Sequence, residues 1–241
     1  MDLTKSMRVT PTHVYFHGGP FSNWYKSDFV AELPVFRPAD GDRSDRIVRS
    51  GTPYKFSSGE KWMMACKASV MGDIHKGGAL ETILGSEVLF GETDKKVEGY
   101  KAPMHDVRAI KAVGRTVIGR KGGKWDAEDI AFWDRVSVPA VTVGLLSKFS
   151  QRDDMYQTIR DMGDRIFVEG SPRDDTWGVK LDWADPRIED ERNWLGRNKL
   201  GKVLNVVNAI FDEYGRISDA WKAYAQYHRA PALPKAPGFA P

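Results

Sequence analysis

Glu60 and Lys67 stand seven residues apart in the segment Ser58-Gly-Glu60-Lys-Trp-Met-Met-Ala-Cys-Lys67. Good helix formers surround them, with Ser57 or Ser58 available as an N-cap and Glu60 in the first turn. Seven residues make about two helical turns, so the carboxylate and the amine project from one face with Met63 and Met64 between them. Such a pair on an apolar stripe has two explanations. Either both heads reach solvent or pair structurally, or the stripe is a pocket wall where desolvation tunes both groups for chemistry.

Other polar residues sit where a ligand would be read. Phe21, Ser22 and Asn23 follow a Gly18-Gly19-Pro20 turn, whose exposed backbone and amide groups suit a ligand edge as well as loop punctuation. Asp174 and Asp175 form an acidic turn that either meets a ligand or solvates a loop. Arg197 and Asn198 precede a helical pattern, a place for anion binding or for capping. Residues 105–125 carry Arg108, Lys111, Arg115, Arg120, Lys121 and Lys124 against Asp106, either a solvated surface or a phosphate-binding face.

Several chemistries lack their residues. Gly119-Arg-Lys-Gly-Gly-Lys124-Trp125 is one residue short of a phosphate loop, and Trp125 replaces the required hydroxyl. No G-x-S-x-G occurs. Cys66 is the single cysteine, and His13 and His17 lack a third ligand, so neither a disulfide nor a metal site is expected.

The elements that must position these groups are legible in outline. Residues 13–17 read as a short strand, and residues 30–36 and 46–56 as a hairpin with a long polar connection. Helices are expected over residues 58–73, 81–90 and 106–113. A capping sequence, Asp126-Ala-Glu-Asp129, precedes a long helical pattern that Pro139 should split near Ser137 and Val138. Residues 166–168 and 177–180 read as strands, residues 200–214 as an amphipathic helix and residues 217–227 as a shorter one. The proline-rich residues 230–241 read as an extended tail.

With 41% hydrophobic and 29% charged residues among 241, the chain has the composition of a folded protein. A net charge of +3 does not by itself announce a nucleic-acid binder. No signal-peptide pattern opens the sequence and no run nears the ~18 apolar residues of a membrane span, so the expected location is the cytoplasm, without membrane association.

Ordered motifs add a resemblance. Phe21-Ser22-Asn23-Trp24, Glu60-Lys-Trp-Met-Met-Ala-Cys-Lys67-Ala68, Gly72-Asp73 and Trp194-Leu-Gly-Arg-Asn198-Lys-Leu-Gly201 follow the order of the NADAR superfamily, also called YbiA-like. Lys111-Ala-Val-Gly114-Arg115, Trp133 ahead of Lys148-Phe149, and Val168-Glu169 through Asp174 to Trp177-Gly178 resemble further motifs of that family. The likeness covers roughly residues 14–207. It departs where the common Ser-Glu-His is here Gly59-Glu60-Lys61, and in a long loop around residues 37–50.

The resemblance implies a mainly α fold with a small β element (α+β) in one YbiA-like domain over residues 1–215, and the helical extension at 216–229 and the tail at 230–241 lie outside it. It implies an N-glycosidase acting on ribose joined to a base, without a cofactor or metal. The favoured substrate is ADP-ribosylated guanine in nucleic acid, the alternatives being phosphoribosylamino-pyrimidine intermediates of riboflavin synthesis or a noncatalytic ADP-ribose or nucleotide-binding module. In this reading Glu60 stabilises the sugar cation or serves as general base, and Lys67 attacks C1' or holds a phosphate. Asp174 meets a ribose hydroxyl or water, Glu169 braces its loop, Trp133 stacks on the base, and Phe21, Ser22, Asn23, Arg197 and Asn198 contact the substrate.

Overall fold

Alternating burial builds the longest strands of the computed structural model, which describes residues 6–37, 46–90 and 106–229. Strand β3 (Lys26–Arg37) buries Ser27, Phe29, Ala31 and Leu33 while the residues between face outward, the period of two expected of a half-covered sheet. It pairs antiparallel with β4 (Arg46–Ser58), Phe29 opposite Phe56, and the register slips between Glu32 and Pro34, where proline has no N–H for a ladder. The connection at residues 38–45 lies outside the described residues, as does the tail at 230–241.

Contacts divide the chain into two compact units, Lys26–Gly144 on one hand and Met1–Tyr25 with Leu145–Pro241 on the other. In the first, β3 and β4 lead into α1 (Gly59–Met71), followed by α2 (Ala79–Phe90), α3 (Val107–Arg115) and the start of α4 (Ala127–Ser150). The Ser58 hydroxyl accepts the Lys61 N–H at 3.2 Å and caps α1. The helix ends at Gly72 in the left-handed conformation, φ 81°. Trp62 is fully buried against Phe29 and Phe56, and its indole N–H donates to Ala140 O at 2.9 Å. Gly144 is required there, because a Cβ would overlap the Trp62 indole.

α4 is one helix, which corrects the expected break at Pro139. An interior proline costs roughly 3 kcal/mol, but Ala140, Val141, Val143, Leu145, Leu146 and Phe149 are buried only while the helix continues. The Ser137 and Thr142 hydroxyls also donate to the carbonyls of Asp134 and Val138 around the proline turn. Its start is the anticipated reciprocal cap, Asp129 N–H on Asp126 Oδ1 at 2.9 Å and Asp126 N–H on Asp129 Oδ2 at 3.4 Å. Among the described residues α4 alone has the length and apolarity of a membrane span, and 61% of that window is buried inside the protein.

In the second unit β1 (Met7–Val9) lies antiparallel to β2 (His13–Phe16), and β2 lies parallel to β5 (Ile166–Glu169). Helices α5 (Asp153–Arg160), α6 (Lys199–Tyr214) and α7 (Ala220–Arg229) complete it. β1 and α5 carry no counterpart in the reading of the sequence. Residues 177–180 form no strand, since Gly178 sits against the Glu169 and Asp174 carbonyls and Lys180 turns into the left-handed region at φ 61°. The described elements are predominantly helical with two small sheets, an α+β fold.

Candidate active site

α1 buries every residue it has except Lys67. Glu60 is 2% exposed, and Lys61, where the family pattern has histidine, is fully buried. Lys67, two turns on, is partly buried, and its ammonium donates to Gly114 O at 2.9 Å. That carbonyl belongs to the last turn of α3, the negative end of the helix dipole. The same nitrogen lies 4.5 Å from the centre of the Trp125 ring, which is itself held by its indole N–H on Val117 O at 2.8 Å.

Burial, and then the positive charge of Arg115, hold the Lys67 amine below the ordinary lysine range. The carbonyl and the ring favour the ammonium form, so a lowered value means that desolvation outweighs them. The helices come this close because residue 114 is glycine, where a Cβ would overlap the Met64 thioether. The Gly114-Arg115 motif thus supplies an approach, an acceptor and a charge.

Gly72-Asp73 has a structural account. Asp73 is buried and its carboxylate accepts from Ala79 N at 3.2 Å and Ile118 N at 3.1 Å, tying the start of α2 to the segment after α3. Trp133 is partly exposed on α4, beside a buried Phe132 covered by the Arg120 guanidinium at 4.4 Å. Arg120 pairs with Asp129 at 2.9 Å and Lys121 with Glu128 and Asp126 at 2.7 and 3.2 Å. The exposed cations of the basic stretch without an acidic partner among the described residues are therefore Arg108, Arg115 and Lys124.

In the other unit, Phe21 is 0% exposed and packs against Phe16, Phe149 and Phe167, so the ring belongs to the core. Ser22 and Asn23 are buried in the turn, where the Ser22 hydroxyl accepts Trp24 N–H at 3.1 Å. The amine of Lys148 reaches this turn, donating to Pro20 O at 2.8 Å and Ser22 O at 3.1 Å. Complete burial pushes it down to about 7. Lys148 entered the sequence reading only as part of a family motif. Its signal was a lone cation closing an apolar run from Pro139 to Leu146.

Asp174 Oδ1 accepts from Thr176 N at 3.0 Å and Trp177 N at 2.8 Å, which fixes the carboxylate and leaves Oδ2 without a protein donor among the described residues. Asn198, at φ 49°, uses both ends of its amide on β5, accepting Glu169 N–H and donating to Phe167 O, each at 3.0 Å. Gly201 permits that contact, since a Cβ would overlap Phe167 O.

The backbone N–H groups leading into α6, read in sequence as a place for anion binding or for capping, are paired within the chain. The N–H groups of Arg197, Asn198, Lys199 and Leu200 donate to the carbonyls of Asp175, Gly178, Thr176 and Trp177. Amides already paired within the chain are not free for an anion. The Arg197 side chain itself is exposed. Glu169, Asp174 and Asn198 therefore belong to one hydrogen-bonded knot, in which Glu169 O also accepts Val179 N–H at 3.0 Å.

The model of the NADAR domain matches residues 13–211. Protein irg-1 of Caenorhabditis elegans is 32% identical over 187 residues, 78% of this chain and 73% of the relative. N-glycosidase R617 of Acanthamoeba polyphaga mimivirus is 28% identical over 203 residues, 81% of this chain and 94% of the relative. The solved NMR structure of the Escherichia coli protein YbiA aligns with a TM-score of 0.48 and 16% identity over 86% of this chain and 88% of its own.

Proposed function

Because the chain belongs to the NADAR domain family, we propose that it is an N-glycosidase that releases ADP-ribose from ADP-ribosylated guanine in nucleic acid. The observation that carries this reading is α1, which places a buried carboxylate, Glu60, and a partly buried amine of lowered pKa, Lys67, on one helical face. The viral relative named an N-glycosidase supports it over most of both chains.

Breaking the C1'–N bond builds positive charge on the ribose, and a carboxylate shielded from water stabilises that charge more strongly than one in solvent. Glu60 takes that role. The neutral fraction of Lys67 then offers its lone pair to C1' as the bonding pair leaves with the base, which takes up a proton. The ribosyl amine opens to an imine, and water hydrolyses the imine to free the sugar and return the amine. Asp174, fixed through Oδ1, offers Oδ2 to a ribose hydroxyl or water. Trp133 offers a partly exposed ring to the base.

One observation favours the smaller substrate class of phosphoribosylamino-pyrimidines. Internal pairing of Arg120 and Lys121 shrinks the basic surface available to a polynucleotide. The test offers ADP-ribosylated oligonucleotide, ADP-ribosyl guanosine and ribosylaminopyrimidine phosphate, and follows base release with and without borohydride. Fastest release from the oligonucleotide is expected, with a reductively trapped adduct that Lys67→Ala abolishes. Faster release from the pyrimidine would transfer the assignment to that class, and binding of all three without release would end the enzyme reading.

A further inference from the structure

Lys148 has no place in the proposed chemistry, yet its amine is taken wholly out of water, which is costly for a charged group. It is 0% exposed and pairs with no carboxylate among the described residues. Its surroundings are the rings of Phe149 at 5.2 Å and Tyr25 at 5.8 Å and the carbonyls of Pro20 and Ser22. Those carbonyls flank Phe21 and lie 128 and 126 residues away in sequence. Gly18 and Gly19, at φ 97° and 63°, reverse the chain just ahead of them, and the turn holds itself by Ser22 N–H on Gly19 O and Tyr25 N–H on Ser22 O. Buried carbonyls need donors, and a flexible four-carbon stem delivers two of them from a helix to both sides of one residue.

We propose that Lys148 is a positioning residue, whose buried amine clamps the turn carrying Ser22 and Asn23 in the conformation that meets the substrate. This rests on the N-glycosidase reading, in which that turn reads the ligand. Phe21 seats the turn by packing, and the amine sets the direction of the backbone on either side of it. The lowered proton affinity of Lys148 follows from the same burial, and both N–H bonds survive in the neutral amine.

The test compares the full-length chain with Lys148→Met, which removes the donors, and Lys148→Gln, which keeps two N–H groups on a side chain one bond shorter. Two measurements are made: hydrogen exchange of backbone amides, and steady-state base release from ADP-ribosyl guanosine. In Lys148→Met, exchange over residues 18–25 is expected to rise at least about tenfold while α6 is unchanged. KM is expected to rise about tenfold with kcat within about threefold, and Lys148→Gln to recover part of both. Three results overturn the proposal: unchanged local exchange, protection lost throughout the unit, or a fall in kcat at constant KM. Should Lys148→Met fail to fold, Lys148→Gln decides alone, and behaviour indistinguishable from the wild type counts against the clamp. A wild-type chain that releases no base from any substrate sinks the N-glycosidase reading and with it the positioning role, and the exchange data then show whether a clamp exists without it.

Discussion

At Glu60 the relevant quantity is access to water. A carboxylate 2% exposed is little screened by water, whereas one in solvent would be screened. Replacing it by glutamine keeps the shape and removes the charge. Glu60→Gln is therefore expected to lower kcat by about 10²–10³, the usual loss for one transition-state contact, with little change in melting temperature. A variant within a few fold of the wild type in base release would remove Glu60 from the mechanism. The spacing from Glu60 to Lys67 was legible because a helix repeats locally, but Trp125 was not. It joins Lys67 from 58 residues later, inside a segment that reads in sequence only as a failed phosphate loop.

Between elements, close approach is set by what a glycine leaves out. Gly144 faces the Trp62 indole, whose N–H is bonded to Ala140 O one turn earlier on the same helix. Two effects oppose each other in Gly144→Ala. Helix propensity favours alanine by up to ~1 kcal/mol, while a methyl group forced against a buried ring costs roughly 1–3 kcal/mol. Packing is expected to win because the indole is anchored, so thermal or urea unfolding should show net destabilisation; a stabilised variant would mean that the ring gives way. Elements with a local signature were read correctly. The Ser58 cap, the Asp126 to Asp129 box and the stripe of α6 are all written in neighbouring residues. The break expected at Pro139 failed for the opposite reason, since distant packing outweighs a local penalty.

For the molecule as a whole, Lys148 ties stability to pH. Its folded value, about 7, lies below the ordinary 10.5 of an unfolded chain. Between those values the unfolded chain binds more protons, so stability rises with pH through that window, and the cost of burying the charge is fully present below about 7. Set against Lys148→Met, which does not titrate, the wild type is expected to gain on the order of a few kcal/mol from about pH 6 to about pH 9, measured by urea unfolding. A difference that stays flat would show that the amine is solvated or paired in the folded state. The sequence by itself determined the α+β class, the helix caps, the hairpin and the single face shared by Glu60 and Lys67, because alternation, helical periodicity and capping are relations between near neighbours. Tertiary structure decided where the donors go: Lys67 to the end of α3, Lys148 to the turn at Pro20 and Ser22, the Asn198 amide to β5, and the N–H groups leading into α6 to the loop before them. A buried polar group is satisfied by whatever lies across from it in space, and neither that partner nor the desolvation that tunes an amine is written in adjacent residues.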